Sequence, residues 1–337
     1  MYKYQLIKRS LFFKMLLLLK IPIYLKRFIA LRKKGVSYKR LFIDANIWTT
    51  RKLDYIHFPF ATQIIDREHY ASVIGAKNTI SFRGSDVNVF PIFHNMSYNS
   101  FWKYISRVHC NSEELRDKLL HEHGLDSETF LEVIHPALRE DYHTNERELS
   151  DLVSKRSYEN EHFVTIGRLH WVKDYPLIFQ ALRKLKNEGI QFQYTIIGHG
   201  QEEEHLMFLA KELEIEKNIN WVGVANSTDI IALLKRSTLY LQSSYAEGFS
   251  NSCLEAQSQG LQCVVTNVSG MRVCIQKDVG GVIVSDRDYN SFADAIKSLI
   301  HQSFETRRSK GLNTAIKVNE LFTRENQKKL WLNFFTN

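Results

Sequence analysis

Glu247 and Glu255 stand eight positions apart in "YAEGFSNSCLEAQSQG", Tyr245 to Gly260, around a Gly-Phe-Ser-Asn-Ser run. Carboxylates so placed can accept hydrogen bonds from sugar hydroxyls, one from a loop and one from a helix, and so address two parts of one elongated ligand. The preceding "TLYLQSS" reads as a strand, which makes "YAEGFSNS" the loop at its carboxyl end and "SNSCLEAQSQG" the start of a helix. Backbone N–H groups at such a helix start favour an anion. The plainer alternative is that Glu247 caps the helix and Glu255 faces solvent. A second cluster is "GRLHWVKDYP", Gly167 to Pro176. Gly167 permits close backbone approach, and Arg168 and Lys173 place two cations at a strand end just before a helix that starts near Asp174, an arrangement suited to a pyrophosphate. "IIGHG", with Gly198 and Gly200, is a further glycine-bordered strand exit toward the same edge.

The elements that must position these residues alternate. "LDYIHF", "NTISF", "VHC" and "FLEVIH" read as strands, and "ATQIIDREHYASVIGA", "MSYNSFWKYI" and "SEELRDKLLHEHG" as the helices between them. The charged stretch Pro136 to Asn160 lacks apolar periodicity and reads as a linker. The rhythm then restarts with "HFVTIG", "FQYTIIG", "INWVG", "TLYLQ", "QCVVT" and "GGVIV". Strand and helix in alternation mean parallel sheets wrapped by helices. The expected fold is α/β, with two doubly wound Rossmann-like domains facing each other across a cleft and chemistry at the carboxyl ends of the strands.

Composition narrows the class. The 337 residues are 44% hydrophobic and 24% charged, which fits a globular chain with two cores. Four cysteines without C-x-x-C spacing argue against a disulfide framework or a zinc site. The net charge of +8 is concentrated at the start, where no acidic residue precedes Asp44. "LFFKMLLLLKIPIYLKRFIAL", Leu11 to Leu31, is broken by charges and a proline and falls short of the ~20 apolar residues of a spanning helix. It reads as a basic amphipathic segment on an anionic membrane surface, or else as a domain helix with a solvated basic face. No helix-turn-helix or zinc-finger spacing supports a nucleic-acid partner.

"GRLHWVKD", "EGFSNSCLEAQSQG" and "CVVTNVSG" resemble, in order and spacing, the donor half of the family 4 retaining glycosyltransferases. "ISFRGSDV", "HCNSEELRDKLL" and "FLEVIHPAL" resemble its acceptor half, so that the likeness runs from about Leu53 to Val284. The resemblance implies the GT-B fold, a nucleotide-diphosphate sugar as co-substrate, and anomeric retention with no metal or other cofactor. Carried over, Arg168 and Lys173 would neutralise the diphosphate and Glu247 would bond the donor sugar. The backbone of Phe249, Ser250 and Asn251 would contact sugar and phosphate, Glu255 would hold the ribose, and Gly167 and Gly198 would border the donor. On the acceptor side stand Arg83, Gly84 and Asp86, with Arg83 where much of the family has a histidine. Arginine cannot serve as a general base, so Arg83 binds phosphate, orients sugar, or pairs structurally with Asp86. His57 lines the cleft or is a satisfied core histidine.

Before Asp54 the chain offers at most "LFIDAN" as a short strand and no glycine-rich loop, so the first domain reads as shortened. The expected organisation is a basic membrane-associating segment over 1–40, an acceptor-side domain over 41–150, a donor domain over 151–320, and a last helix over 321–337 that crosses back to the first domain. The expected function is a hexosyltransferase, cytoplasmic and peripheral to the inner face of the plasma membrane, acting on a glycan or lipid-linked glycan in cell-surface polysaccharide synthesis. A non-catalytic scaffold at the membrane and a nucleotide-sugar epimerase are the alternatives.

Overall fold

The computed structural model of the chain describes residues 22–50, 52–94, 97–268, 270–275 and 279–336. Two compact units divide between Val133 and Ile134. Each is built on a parallel sheet.

In the first unit strands β1 (Tyr55–Phe58), β2 (Lys77–Phe82), β3 (Ile105–Cys110) and β4 (Phe130–Val133) lie in the order β1-β2-β3-β4. Every crossover steps on in the same direction, and right-handed connections then place their helices on one face. The packing agrees: Ile56, Phe58, Ile80, Phe82, Val108 and Cys110 share one core with Tyr70, Ile74, Leu115 and Leu119 from the connecting helices. Residues one position off carry the opposite face, where His57, Thr79, Ser81 and His109 form a hydrogen-bonded row. Helix Glu113–His121 begins as expected, with the Ser112 hydroxyl accepting from Leu115 N.

Three expectations for this unit change. "LFIDAN" is helical: helix Tyr38–Ile43 buries Leu41, and Asp44 ends it and accepts from Arg67 Nε at 2.8 Å and the Tyr70 hydroxyl at 3.2 Å. "MSYNSFWKYI" forms only a single 3-10 turn, Trp102–Tyr104, among its described residues, because Tyr98 and Trp102 anchor it by packing on Phe82. The segment over 1–40 is not a separate element throughout. Residues 1–21 lie outside the described residues, but helix Pro22–Lys33 belongs to the domain: Leu31 is fully buried, and the Arg27 guanidinium donates to Trp48 O at 3.0 Å and Thr50 O at 2.6 Å. No helix of the described residues is long and apolar enough to cross a membrane.

The second unit holds β5 (Glu161–Ile166), β6 (Phe192–Ile197), β7 (Ile219–Gly223), β8 (Leu239–Gln242), β9 (Gln262–Thr266) and β10 (Gly281–Val284), in the order β10-β9-β8-β5-β6-β7. Both faces are covered. Phe163, Leu239, Leu241 and Val264 pack on helices Tyr175–Asn187 and Tyr289–Ile300, while Val164, Tyr240, Cys263 and Val265 pack on the face carrying helix Asn251–Ser258. The stretch 136–160, expected as a linker, is part of this unit and contains helix Glu146–Lys155, capped by Asn145 and burying Leu149 and Val153. Only that narrow stripe is apolar, which hid the helix. The last helix, Arg324–Thr336, is also grouped with this unit.

Strand order reverses between β5 and β8. Loops that leave such a point diverge to opposite faces and open a crevice at the carboxyl ends of the strands. The two clusters singled out in the sequence leave from those two strands.

Candidate active site

The loop after β5 carries Gly167, Arg168 and Lys173, and the loop after β8 carries Glu247. They meet: Lys173 Nζ lies 2.5 Å from Glu247 Oε1, with side chains 19% and 14% exposed. The same oxygen accepts from Gln242 Nε2 at 2.8 Å and from the Ser244 hydroxyl at 2.8 Å. With three donors on Oε1, Glu247 is held in one orientation. Among the described residues no donor reaches Oε2, which is the oxygen left for a ligand hydroxyl. Glu247 therefore does not cap the following helix. Ser250 does, its hydroxyl accepting from Cys253 N at 3.2 Å and donating to Gln242 Oε1 at 2.7 Å.

Arg168 is exposed and has no hydrogen-bond or ion-pair partner among the described residues. An unneutralised guanidinium beside a crevice is available to an anion. Gly167 lies against Lys173 and the Tyr175 hydroxyl, which donates to Gly167 O at 3.0 Å. Gly198 is not turned to the ligand side in the same sense: a Cβ there would stand 1.9 Å from Gly167 O, so its role is to let the β6 exit lie flat on the β5 exit.

Of the loop residues expected to line the donor, Phe249 is buried, with ring centroids 5.8 Å from both His135 and Phe322. The Ser250 N–H is directed inward to Cys274 Sγ at 3.2 Å, which removes it from the expected phosphate contacts. Asn251 opens helix Asn251–Ser258 and is exposed. Glu255, further along that helix, is buried rather than facing solvent. Burial pushes its carboxyl up to about 7, against the opposing influence of the Arg139 guanidinium and the Tyr142 hydroxyl.

Several residues of this site escaped the sequence reading. Gln242 and Ser244 are signalled only as polar residues closing an apolar strand. Arg287, in the loop after β10, donates to Ser244 O at 2.9 Å and pairs with Asp174, tying three loops together. Its signal was position alone, a cation at a strand's carboxyl end. Gly270 lies so close to Gly248 that a Cβ would stand 2.3 Å from the Gly248 carbonyl carbon. Arg139 and Tyr142 were hidden in the supposed linker.

In the first unit, Asp86 is buried and its carboxylate accepts from the backbone of Arg83 at 2.9 Å, Gly84 at 2.9 Å and Ala61 at 3.3 Å. The alternative of an Arg83–Asp86 ion pair is thus replaced by a loop brace. The Arg83 guanidinium is exposed and lies 5.1 Å from the Phe60 ring centroid. Gly84, at φ +118, takes a conformation that favours glycine. Both ring nitrogens of His57 are engaged, Nδ1 with Thr79 Oγ1 at 2.8 Å and Nε2 with Ser81 Oγ at 3.0 Å. Burial, reinforced by the Arg83 charge, lowers its pKa to about 4, so the ring is neutral at physiological pH.

A parallel sheet with a strand-order reversal, two loop cations and an oriented carboxylate suit an anionic, hydroxylated ligand. The chain belongs to the glycosyl transferases group 1 family, whose model matches residues 148–330. The D-inositol 3-phosphate glycosyltransferase of Mycobacterium bovis is 25% identical over 196 residues, covering 58% of this chain and 41% of that protein. The chain thus spans about two fifths of the length of the curated relatives it matches. Among solved structures, Anabaena Alr3699/HepE in complex with UDP and glucose superposes with a TM-score of 0.73 at 16% identity, covering 88% of this chain and 81% of that one. The pneumococcal O-GlcNAc transferase GtfA in complex with UDP and GlcNAc superposes with a TM-score of 0.69 at 16% identity, covering 88% and 60%. The fold is that of the GT-B glycosyltransferases, two Rossmann-like domains on parallel sheets.

Proposed function

We propose that the protein is a retaining hexosyltransferase of the family 4 type, moving a sugar from a nucleotide-diphosphate donor to a glycan or lipid-linked glycan acceptor of the cell surface. The observation that carries this is the Lys173–Glu247 pair at the strand-order reversal, with Glu247 Oε2 open and Arg168 unpaired on the same loop as Lys173. In the reaction, Arg168 and Lys173 neutralise the departing diphosphate, a role that a bound metal fills in other transferases. Preorganised charge of this kind acts where negative charge develops. Lys173, Gln242 and Ser244 hold Glu247 by Oε1 and leave Oε2 to bind the sugar. Glu247 orients the donor sugar, and the acceptor hydroxyl attacks from the face the diphosphate leaves and passes its proton to the departing diphosphate oxygen, so that positioning supplies much of the rate. Glu255 takes the ribose hydroxyls.

The basic start of the chain supports work at the cytoplasmic face of an anionic membrane. On helix Pro22–Lys33, Leu25 and Ile29 are about half exposed beside exposed Lys26 and Lys33, the pairing that suits a headgroup region. Flotation with vesicles containing phosphatidylglycerol, but not with phosphatidylcholine alone, is expected, and Lys26→Glu with Lys33→Glu should abolish it.

The donor is tested by thermal unfolding of the full chain with UDP, GDP, ADP or CMP. A ligand at ~100 times its dissociation constant adds about 2.7 kcal/mol. The expected result is a shift with UDP, the nucleotide held by the solved neighbours, that is lost when Arg168→Ala and Glu255→Ala are combined. No shift with any nucleotide would overturn the proposal.

A further inference from the structure

Trp171 and Tyr245 are the exposed large aromatic side chains on the loops that bring Lys173 and Glu247 together, whereas Phe249 of the second loop is in a core. Trp171 is 47% exposed and Tyr245 is 51% exposed, against 19% and 14% for the side chains of Lys173 and Glu247. Their ring centroids are 6.2 Å apart and their planes are inclined at 44°. Each stands two positions before the charged residue of its own loop. The aromatic pair therefore forms a lip on the solvent side of the ion pair.

The lip is rigid. Tyr245 N donates to Val172 O at 2.7 Å, which fixes one loop to the other. The Arg287 guanidinium lies 3.9 Å from the Tyr245 ring centroid, and it is held in turn by Asp174 and by the carbonyls of Ser243 and Ser244. Trp171 sits in the 3-10 turn Trp171–Lys173, with the His170 ring 5.6 Å away. Aromatic area left in water on a preorganised support is costly to maintain but loses little entropy on binding. Its negative π-face attracts the weakly positive C–H groups along one side of a pyranose ring, and the partly exposed His170 supplies a polar partner at the rim.

We infer that Trp171 and Tyr245 form a stacking subsite for the acceptor sugar, distinct from the donor contacts at Lys173, Glu247 and Glu255. The donor hexose is held at the less exposed Glu247, so a ring on the outer lip belongs to the molecule that arrives second. This assignment rests on the transferase reading of the same loops.

The test uses the full chain saturated with UDP and a panel of methyl glycosides of glucose, galactose and N-acetylglucosamine. Saturation-transfer NMR reads contact between the protein and each sugar ring, and UDP-induced thermal stabilisation is measured in parallel. The expected result is transfer to the C–H face of at least one glycoside, at least tenfold weaker in Trp171→Ala and in Tyr245→Ala, kept in Trp171→Phe, with the UDP shift unchanged in all three. An intact UDP shift with no transfer in the wild type, or with equal transfer in Trp171→Ala, would overturn the subsite alone. Loss of the UDP shift in Trp171→Ala would assign the lip to the nucleobase and overturn the sugar assignment. Absence of a UDP shift in the wild type would overturn the transferase reading itself.

Discussion

In the second sheet the chain turns back on itself between β5 and β8 and both faces are sealed by helices; in the first sheet the strands follow one another in sequence and a single apolar core lies on one face. The polar groups of each unit follow this difference. Behind the reversal in the second unit, Lys173, Glu247 and Arg168 leave ligand-facing valences open. In the first unit, Asp86 and His57 spend theirs on the protein, on backbone N–H groups and on Thr79 and Ser81. A crevice made by topology frees side chains for a ligand, whereas a sheet without one must satisfy its own polar residues. Backbone closeness differs too. Gly198, at a strand exit of the second sheet, has Gly167 O where its Cβ would be, while Gly75, ending a helix of the first unit at φ +80, has nothing within 4 Å.

The largest effect should therefore come from Gly198→Ala, expected to cost about 3 kcal/mol or more, against about 1 kcal/mol for Gly75→Ala, which pays only for its backbone conformation. Denaturant titration of the two variants measures the gap, and equal losses would erase the contrast. Next comes pH, where the units should respond in opposite directions. The Glu255 carboxyl is raised to about 7 from 4.5, so the unfolded chain releases this proton first, and the stability it contributes is present below 4.5 and lost as pH rises through 7. At 1.36 kcal/mol per unit the loss is roughly 3 kcal/mol, and Glu255→Gln should be the more stable protein at pH 8 and not at pH 4.5. His57 is lowered from 6.5 to about 4, so its contribution is present above 6.5 and lost as pH falls through 4. With its partial exposure discounted, about 2 kcal/mol is expected, and His57→Gln should flatten that acid limb in urea titrations.

A smaller effect separates the cations. Arg168→Ala should weaken UDP binding 10- to 100-fold by calorimetry, in line with about 1.5–3 kcal/mol for a charged hydrogen bond, while leaving the unfolding midpoint within about 0.5 kcal/mol of wild type. Arg83→Ala should change neither. The smallest is Cys274, whose thiol accepts from Ser250 N and donates to Gly270 O at 2.9 Å. Cys274→Ala leaves that N–H buried without a partner, at about 1 kcal/mol, and Cys274→Ser should restore part of it in thermal melts.

The strands were legible because runs such as "FQYTIIG" and "QCVVT" are apolar, β-rich and bounded by turn residues, and the loop motifs could be placed on their carboxyl ends. Helices of the first unit were harder. "LFIDAN" looks like a strand until Arg67 and Tyr70, more than twenty residues on, hold Asp44 as a helix end. The meeting of Lys173 with Glu247 followed from strand order, but the inward aim of Ser250 N–H and the brace from Arg287 depend on contacts with Cys274, Asp174 and Ser244 that no local pattern announces.

The reversal at β5 also has a consequence for how the molecule is made. Strands of the first sheet find their partners in the next strand to emerge. β5 pairs with β6 on one edge, but its other edge waits for β8, and Thr165 meets Leu241 across 76 residues. Sequence-distant pairing slows folding. Until β8 is synthesised, the apolar run Phe163–Ile166 presents a bare edge to any other chain nearby. The same turn of the chain that opens a crevice for a ligand makes the second domain the slower to mature and the one most exposed to aggregation on the ribosome.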